Sequence, residues 1–290
     1  MVWSCLVSIL PGMAQTEKLT DYVNPFVGTD GYGNVYPGAQ IPFGGIQISP
    51  DTDSRFYDAA SGYKYNHLTL MGFSLTHLSG TGIPDLGDFL FIPGTGEMKL
   101  EPGTHEDPDQ GYRSRYSHDK EWASPNYYAV ELADYGVKAE MTSGVRSGMF
   151  RFTYPESDNA FIMIDMNHTL WQSCEWSNLR MINDSTITGY KLVKGWGPER
   201  HVYFTATFSK KLTGLRFVQD KKPVIYNTSR FRSSYEAWGK NLMACISFDT
   251  KAGEEVTVKT AISAVSTDGA RNNMKELDGL TFNELRAKGE

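Results

Sequence analysis

Short runs in which apolar and polar residues alternate recur through most of this chain, and they constrain its fold more than any other feature. Phe150, Phe152 and Tyr154, for example, share one parity, so a strand there would bury one aromatic face. Nine segments have this character: 88–92, 127–132, 137–142, 145–154, 161–166, 186–193, 202–208, 242–248 and 255–265. Their number and spacing predict a mainly β fold, a large antiparallel β-sandwich of the supersandwich type.

Only the end of the chain has a helical pattern. Asp268 can cap a segment that runs through residues 270–277, and Gly279 then ends it. Thr281 and Glu284 form a capping box, which marks a second helix start. A helix of about nine residues is marginal alone, so we expect the chain to be cut inside a longer helix. The predicted organisation is a β-sandwich over residues 15–266 and, over residues 267–290, the start of a helical linker to an absent domain.

The first 14 residues carry no charge and are largely apolar. Gly12 and Ala14 occupy the small-residue positions of a cleavage site, so residues 1–14 are predicted to be a secretory signal that lacks its basic start. This pattern predicts a secreted, periplasmic or cell-surface protein. Cys174 and Cys245 could then form a disulfide or remain two buried thiols, and the sequence leaves both open.

The net charge of −6 and the sequence pI of about 5.6 argue against a nucleic-acid partner, which would require a basic face. No apolar run approaches the roughly 20 residues of a membrane span. The sequence also contains no phosphate-binding loop, no GxSxG nucleophile elbow and no HExxH zinc motif. The chain therefore has no self-contained catalytic motif of these classes.

Two segments instead combine glycines, aromatic residues and short polar side chains. They cover residues 24–44 and residues 61–88. Aromatic rings can stack on the apolar face of a pyranose, while short polar side chains and backbone amides bind its hydroxyls. The composition equally fits a long irregular loop over one end of a sandwich, with the glycines serving turns.

The order of motifs in these segments is specific. NPFVGTDGYGNVYPGAQIPFG at residues 24–44 is followed by SPDT at 49–52, SGYKY at 61–65, GFSLTHLSGTG at 72–82 and DLGD at 85–88. This series resembles the N-terminal domain of glycoside hydrolase family 92, the exo-acting α-mannosidases, and the resemblance covers roughly residues 21–290.

The resemblance implies a two-domain enzyme in which an (α/α)-barrel follows the sandwich. Such enzymes remove terminal α-linked mannose with inversion and depend on calcium. Inversion requires a carboxylic acid and a carboxylate base roughly 6.5–9.5 Å apart. By resemblance these carboxylates and most calcium ligands belong to the barrel, so we expect no catalytic residue and no bound metal in this chain. The implied partners are mannose-terminated glycans and the chain's own catalytic domain.

The resemblance also implies that the sandwich loops form one wall of the mannose pocket. The candidate sugar contacts are Gly33, Asn34, Tyr36, Pro37, His77, Ser79, Thr81 and, for stacking, Trp196. Three of them have a simpler alternative: His77 as a core histidine, Tyr36 as a loop anchor, Trp196 as a core aromatic. Asp85 and Asp88 precede a strand, which favours turn and cap roles over ligand roles.

Some residues depart from the family pattern. Leu75 stands where many members carry histidine, His67 lies near a common aspartate, and residues 56–60 replace a Trp-rich segment. These departures leave the linkage specificity open. Two other functions also remain open: a free-standing sugar-binding sandwich, and the N-terminal domain of a different two-domain glycosidase or phosphorylase.

Overall fold

The computed structural model describes residues 18–54, 59–225 and 235–289, and this part of the chain forms two antiparallel sheets packed face to face. The strands of these residues are β1 Ser49–Asp51, β2 Thr69–Leu70, β3 Gly72–Ser74, β4 Leu90–Thr95, β5 Ser114–Arg115, β6 Glu121–Ser124, β7 Tyr127–Leu132, β8 Val137–Ser143, β9 Ser147–Tyr154, β10 Ser157–Asp165, β11 Ser173–Asn183, β12 Thr186–Lys194, β13 Arg200–Phe208, β14 Gly214–Gln219, β15 Lys222–Pro223, β16 Glu236–Gly239, β17 Leu242–Thr250 and β18 Glu254–Ser263. Two helices follow, α1 Thr267–Met274 and α2 Phe282–Gly289. Short 3₁₀ turns occupy Leu19–Tyr22, Pro108–Gln110, His118–Lys120 and Lys275–Leu277.

One sheet has seven strands in the order β1-β3-β4-β10-β17-β14-β15. The other has nine strands in the order β16-β11-β12-β13-β18-β9-β8-β7-β6. A separate two-stranded ladder joins β2 to β5. The predicted mainly β supersandwich is therefore confirmed.

The main core lies between the sheets and follows the period-2 pattern. Phe91 of β4, Phe150 and Phe152 of β9, and Phe204 of β13 are fully buried there. The rings of Phe91 and Phe150 have centroids 4.9 Å apart. Alternation thus places one apolar face of each strand in the core, because successive side chains point to opposite sides.

The outer face of the seven-stranded sheet is also apolar and is covered by the segment over residues 98–116. Leu90, Ile92, Phe161 and Met163 of the sheet pack there with Tyr112 of the covering segment. Both faces of these central strands are buried, which explains why their sequences are nearly continuous apolar runs.

The helices lie on the outer face of the nine-stranded sheet. Leu277, Phe282 and Leu285 are buried there against Tyr127 and Met149. Residues 267–289, called the linker below, are therefore packed on the sandwich.

The starts of the two helices differ in how closely they follow the sequence pattern. The capping box is confirmed: Thr281 N–H donates to Glu284 at 2.8 Å, and Glu284 N–H donates back to the Thr281 hydroxyl at 3.3 Å. The cap predicted for the first helix is wrong, because Ser266 rather than Asp268 precedes α1 and accepts from Gly269 N–H at 2.9 Å. The first helix accordingly begins earlier than predicted, and its last turn is 3₁₀.

The predicted signal segment, residues 1–14, lies outside the described residues, as do three of the five residues that replace the Trp-rich segment, Phe56, Tyr57 and Asp58. None of the helices in the described ranges is long and apolar enough to cross a membrane. Cys174 and Cys245 are both buried free thiols, which decides between the two alternatives left open by the sequence.

Candidate functional site

Four connections meet at one end of the sandwich, here called the loop end. The register defines it: Asp165, which ends β10, lies opposite Leu90 at the start of β4 and Met243 at the start of β17. The connections at this end are residues 23–48, 75–89, 166–172 and 195–199. Residues 24–44 are called the first loop below, and residues 75–89 the second loop.

The two loops lie side by side. Gly80 N–H donates to the carbonyl oxygen of Asn34 at 2.7 Å, and the rings of Tyr36 and His77 have centroids 5.1 Å apart. The predicted residues of both loops therefore share one surface, although about 40 positions separate them along the chain.

One glycine permits close packing within the first loop, and another permits close packing beside Asp51. A Cβ atom on Gly33 would lie 2.0 Å from the carbonyl oxygen of Gly28 within the first loop. Gly62 has a φ of +87°, and a Cβ there would lie 2.0 Å from a carboxylate oxygen of Asp51. Any larger residue at either position would have to displace its neighbour.

The candidate contacts divide into accessible and enclosed residues. Ser79 and Trp196 are exposed, and Gly33, Asn34 and Thr81 are half-buried. Tyr36 and Pro37 are buried, and the side chain of His77 is fully enclosed. Trp196 lies at the tip of the hairpin between β12 and β13 rather than in the core. The described arrangement thus leaves five of the eight candidate residues accessible at the loop end.

His77 belongs to a buried group of three ionisable side chains. Its Nε2 lies 2.8 Å from Asp51 Oδ1, and His168 Nε2 lies 2.9 Å from Asp51 Oδ2. Burial alone would raise the pKa of Asp51, but the two histidines outweigh that effect and hold the pKa well below its usual range. The other ring nitrogen of His77 lies 2.9 Å from the carbonyl oxygen of Gln47. His77 therefore joins β1 to the second loop.

Asp88 forms a second buried group at the base of the second loop. It lies 3.1 Å from Lys191 Nζ and 2.5 Å from Arg200 Nη1, and it accepts a hydrogen bond from Thr76 at 2.7 Å. Burial alone would raise its pKa, but Lys191 and Arg200 outweigh burial and hold the pKa well below its usual range. Lys191 also donates to the His168 carbonyl oxygen at 2.6 Å, which connects the two groups.

The roles of Asp85 and Asp88 follow from these contacts. Asp85 accepts a hydrogen bond from the N–H of the next residue, Leu86, at 2.6 Å, which is a turn contact. Asp88 is fully enclosed and is bonded to two adjacent strands of the nine-stranded sheet, β12 through Lys191 and β13 through Arg200. Both contacts are structural, and neither carboxylate forms part of a metal-binding cluster in the described residues.

A groove of about 950 Å³ opens at the loop end beside residues 166–172, which contact the second loop through Leu170 and Gln172. None of the eight candidate residues lines it. Trp171, with 57% of its surface exposed, stands at its wall. The remaining wall combines aromatic and apolar side chains with carboxylates, amides and hydroxyls, among them Tyr112, Asp165, Asn167, His168, Gln172 and Asn241. This is a suitable mixture for a sugar, which presents apolar faces and many hydroxyls. The groove is called the loop-end groove below.

The residues that line this groove were not predicted from the sequence. They come from several connections that are far apart in the chain, and none forms a local motif. Trp171 gave one usable signal, because an isolated tryptophan among polar residues after a predicted strand is unusual. His168, which lines the groove and binds Asp51, connects it with the predicted His77.

A supersandwich with an aromatic and polar groove among its end loops is typical of the β-domains of carbohydrate-active enzymes. The chain belongs to glycosyl hydrolase family 92: the N-terminal domain of that family matches residues 22–263.

Solved structures of the same family share this fold. The family 92 glycosyl hydrolase CcMan5 is 27% identical, with a TM-score of 0.78 over 93% of this chain. The family 92 inverting mannosidase of Bacteroides thetaiotaomicron is 24% identical, with a TM-score of 0.77 over 94% of this chain. The chain spans 36% of the length of each.

A curated relative is an uncharacterized secreted glycosidase of Arthroderma benhamiae. It is 30% identical over 139 residues, which are 47% of this chain and 17% of the relative. The described residues contain no group of three or more His, Cys, Asp or Glu side chains that could hold a metal ion.

Proposed function

We propose that this domain forms one wall of the substrate cleft of a secreted, inverting exo-α-mannosidase that acts on mannose-terminated glycans. The observation that supports it most is the loop-end groove, whose wall at residues 166–172 contacts the second loop of a family 92 domain. The sugar specificity is taken from the family resemblance and from the similarity to a mannosidase structure. Secretion is taken from the N-terminal sequence and from the relative named a secreted glycosidase.

In this proposal the residues of the chain bind and orient the sugar, and the acid and base come from a second domain. Trp171 and Trp196 offer ring faces to the pyranose. Asn34, Ser79 and Thr81 donate to or accept from its hydroxyls, and Gly33 allows close approach of the backbone. Positioning is the role proposed for the enclosed residues Tyr36, Pro37 and His77, since His77 is bonded to Asp51 and Tyr36 to Gln40.

Calcium is proposed as a requirement of the longer enzyme, held by residues outside this domain. A hard cation with oxygen ligands would bind vicinal sugar hydroxyls when present. This chain would bind the part of the sugar that the cation does not bind, and would hold it against the wall of the cleft that the second domain forms.

The proposal is tested by expressing the polypeptide encoded by the whole gene and measuring hydrolysis of p-nitrophenyl α-mannoside. We expect turnover that chelator abolishes, and NMR should show β-mannose as the first product, because inversion reverses the anomeric configuration. Replacement of Trp171 by alanine should lower kcat/KM at least fivefold through lost stacking. Trp122, another exposed tryptophan, on β6, provides the matched control W122A.

Three results would count against the proposal. α-Mannose as the first product would exclude inversion, and full activity in chelator would exclude calcium dependence. Turnover of another glycoside, or phosphate-dependent cleavage, would favour the alternative of a different glycosidase or phosphorylase. Sugar binding without turnover by any encoded product would favour a free-standing binding module.

A further inference from the structure

A second groove, of about 650 Å³, lies on the outer face of the nine-stranded sheet. The loop-end groove borders the covering segment of the seven-stranded sheet, so the thickness of the sandwich separates the two. The strands β11, β12, β13 and β16 and the first turn of α1 line the second groove. It is called the sheet-face groove below.

The floor of the sheet-face groove is a row of directly paired residues. Trp238 pairs with Asn178, Asn178 with Tyr190, and Tyr190 with Tyr203. Directly opposite residues project from the same face of a sheet, so these four side chains stand in line across three strand spacings, roughly 14 Å. The rings of Tyr190 and Tyr203 have centroids 4.8 Å apart and are tilted by 31°. The row is an extended aromatic platform on an outer surface.

The platform carries unused hydrogen-bonding capacity. Within the described ranges, no protein group hydrogen-bonds the Tyr203 hydroxyl or the indole N–H of Trp238. Trp238 keeps 54% of its surface exposed. Aromatic residues with a polar tip favour ligands that present both an apolar face and hydrogen-bonding groups.

The charges at the sheet-face groove balance. Arg180 and Arg271 face Glu236 and Asp268, which gives two positive and two negative side chains. Asp268 and Arg271 pair with each other at 3.3 Å. A groove of zero net charge has no electrostatic preference for a phosphorylated or a cationic ligand. The groove therefore suits a neutral ligand that presents hydroxyl groups and apolar ring faces.

We propose that the sheet-face groove is a binding site for a neutral oligosaccharide, separate from the cleft at the loop end. Sugar rings would stack along Trp238, Tyr190 and Tyr203, and the flanking polar side chains would bind hydroxyls. The volume of the groove falls in the range of small-molecule sites. A second sugar site on the opposite side of the sandwich would hold the protein on a polymeric glycan independently of what the cleft cleaves.

The test is affinity electrophoresis of the 290-residue chain in native gels that contain soluble α-mannan, dextran or barley β-glucan. At least one polysaccharide should retard the chain. Replacement of Trp238 by alanine should weaken retardation at least fivefold, and Tyr203→Phe, which removes only the free hydroxyl, should weaken it less. Circular dichroism and the thermal midpoint verify that each variant is folded.

Trp176 provides the matched control, because it is 45% exposed and projects from the same sheet face without lining the groove. Trp176→Ala should bind like the parent chain. Dextran and barley β-glucan contain no mannose, so retardation by either is independent of the mannose cleft, and failure of the mannosidase proposal and failure of this one are distinguishable. Equal retardation of W238A and the parent, or no retardation by any of the three polysaccharides, would overturn the proposal.

Discussion

Asp88 is the residue through which the second loop is anchored to the nine-stranded sheet. Its carboxylate is fully enclosed and lies 3.1 Å from the fully enclosed Lys191. Arg200, the other basic partner, keeps a quarter of its side chain exposed. Removal of one member of a buried pair leaves a buried charge without compensation, which costs far more than removal of a surface pair. The loop therefore depends on this carboxylate for its position.

Replacement of Asp88 by asparagine should lower the free energy of unfolding by about 3–5 kcal/mol, because the buried Lys191 ammonium loses its counter-charge. The double variant Asp88→Asn with Lys191→Met should be more stable than D88N alone, since the unpaired cation is then gone. Urea denaturation measures both. A D88N chain as stable as the parent would show that Lys191 does not depend on this counter-charge.

Stability should also fall in acid. The pKa values of Asp51 and Asp88 are lowered in the folded state, so the unfolded state binds more protons as the pH decreases. Their contribution is fully present above the usual aspartate pKa of about 4 and is lost as the pH falls toward the folded values. Thermal midpoints measured from about pH 6 to about pH 2.5 should therefore decrease most steeply below about pH 4.

The variant Asp51→Asn should show a shallower decrease over the same acid range, because one of these two buried carboxyls with a lowered pKa is removed. Asp158, which is exposed, provides the control: Asp158→Asn should follow the parent curve. If D51N keeps the full acid slope, the histidine pair does not stabilise the Asp51 carboxylate.

At the scale of elements, the turn between β8 and β9 is the point where the linker is fastened to the sheet. Glu276 accepts hydrogen bonds from the N–H groups of Val145 and Arg146 at 2.6 and 3.1 Å, and from the Ser147 hydroxyl at 2.6 Å. The N–H of Gly45, just after the first loop, donates to the carbonyl oxygen of Val145 at 2.6 Å. The linker and the first loop therefore meet at the same turn.

Substitution of Glu276 by alanine should increase hydrogen exchange of the Val145 and Arg146 amides at least tenfold, because these N–H groups lose their acceptor. The neighbouring Asp278, which is exposed, supplies the matched control D278A. Exchange measured by NMR should change at the turn and leave the central strands unaffected. Unchanged protection at residues 145 and 146 would show that the carboxylate does not hold the turn.

The strands that could be predicted are those whose sequence alternates. β7 was predicted with its observed bounds, and β9 and β12 within two residues. β11 was missed because its buried position Ser177 is polar while Trp176 and Ile182 on the outward face are apolar, so apolar and polar residues do not alternate there. The first helix cap was misplaced by two residues because Ser266 and Asp268 are both competent caps, and only packing against β18 selects one.

The site was less predictable than the fold. The two loops were found because each is a continuous motif, and the structure places them side by side. The two buried ionic groups beneath these loops pair Asp51 with His168 and Asp88 with Lys191, residues that are more than 100 positions apart in the sequence. Such contacts depend on the sheet order, and a single sequence carries no local pattern for them.

At the scale of the whole molecule, the linker is an integral part of the sandwich. Residues 274–285 supply an apolar layer that covers Tyr127, Ala129 and Met149 on the outer sheet face. The same connection begins at the loop end, where β18 finishes. A domain that follows α2 would consequently be attached through a packed element rather than a free tether, which favours a fixed relation between the two walls of a cleft.

A chain that ends at Ser266 should be markedly less stable than the 290-residue chain. Leu277, Phe282 and Leu285 are each at least 95% buried, and burial of such a side chain contributes about 1.5–3 kcal/mol. The truncated chain should therefore lose roughly 4 kcal/mol or more and bind the dye ANS through the uncovered sheet face. A chain that ends at Ala287 is the control, because it retains all three side chains. Equal thermal midpoints for the Ser266 and Ala287 chains would mean that the helices add nothing to the sandwich, and the fixed attachment inferred from them would fail with that result.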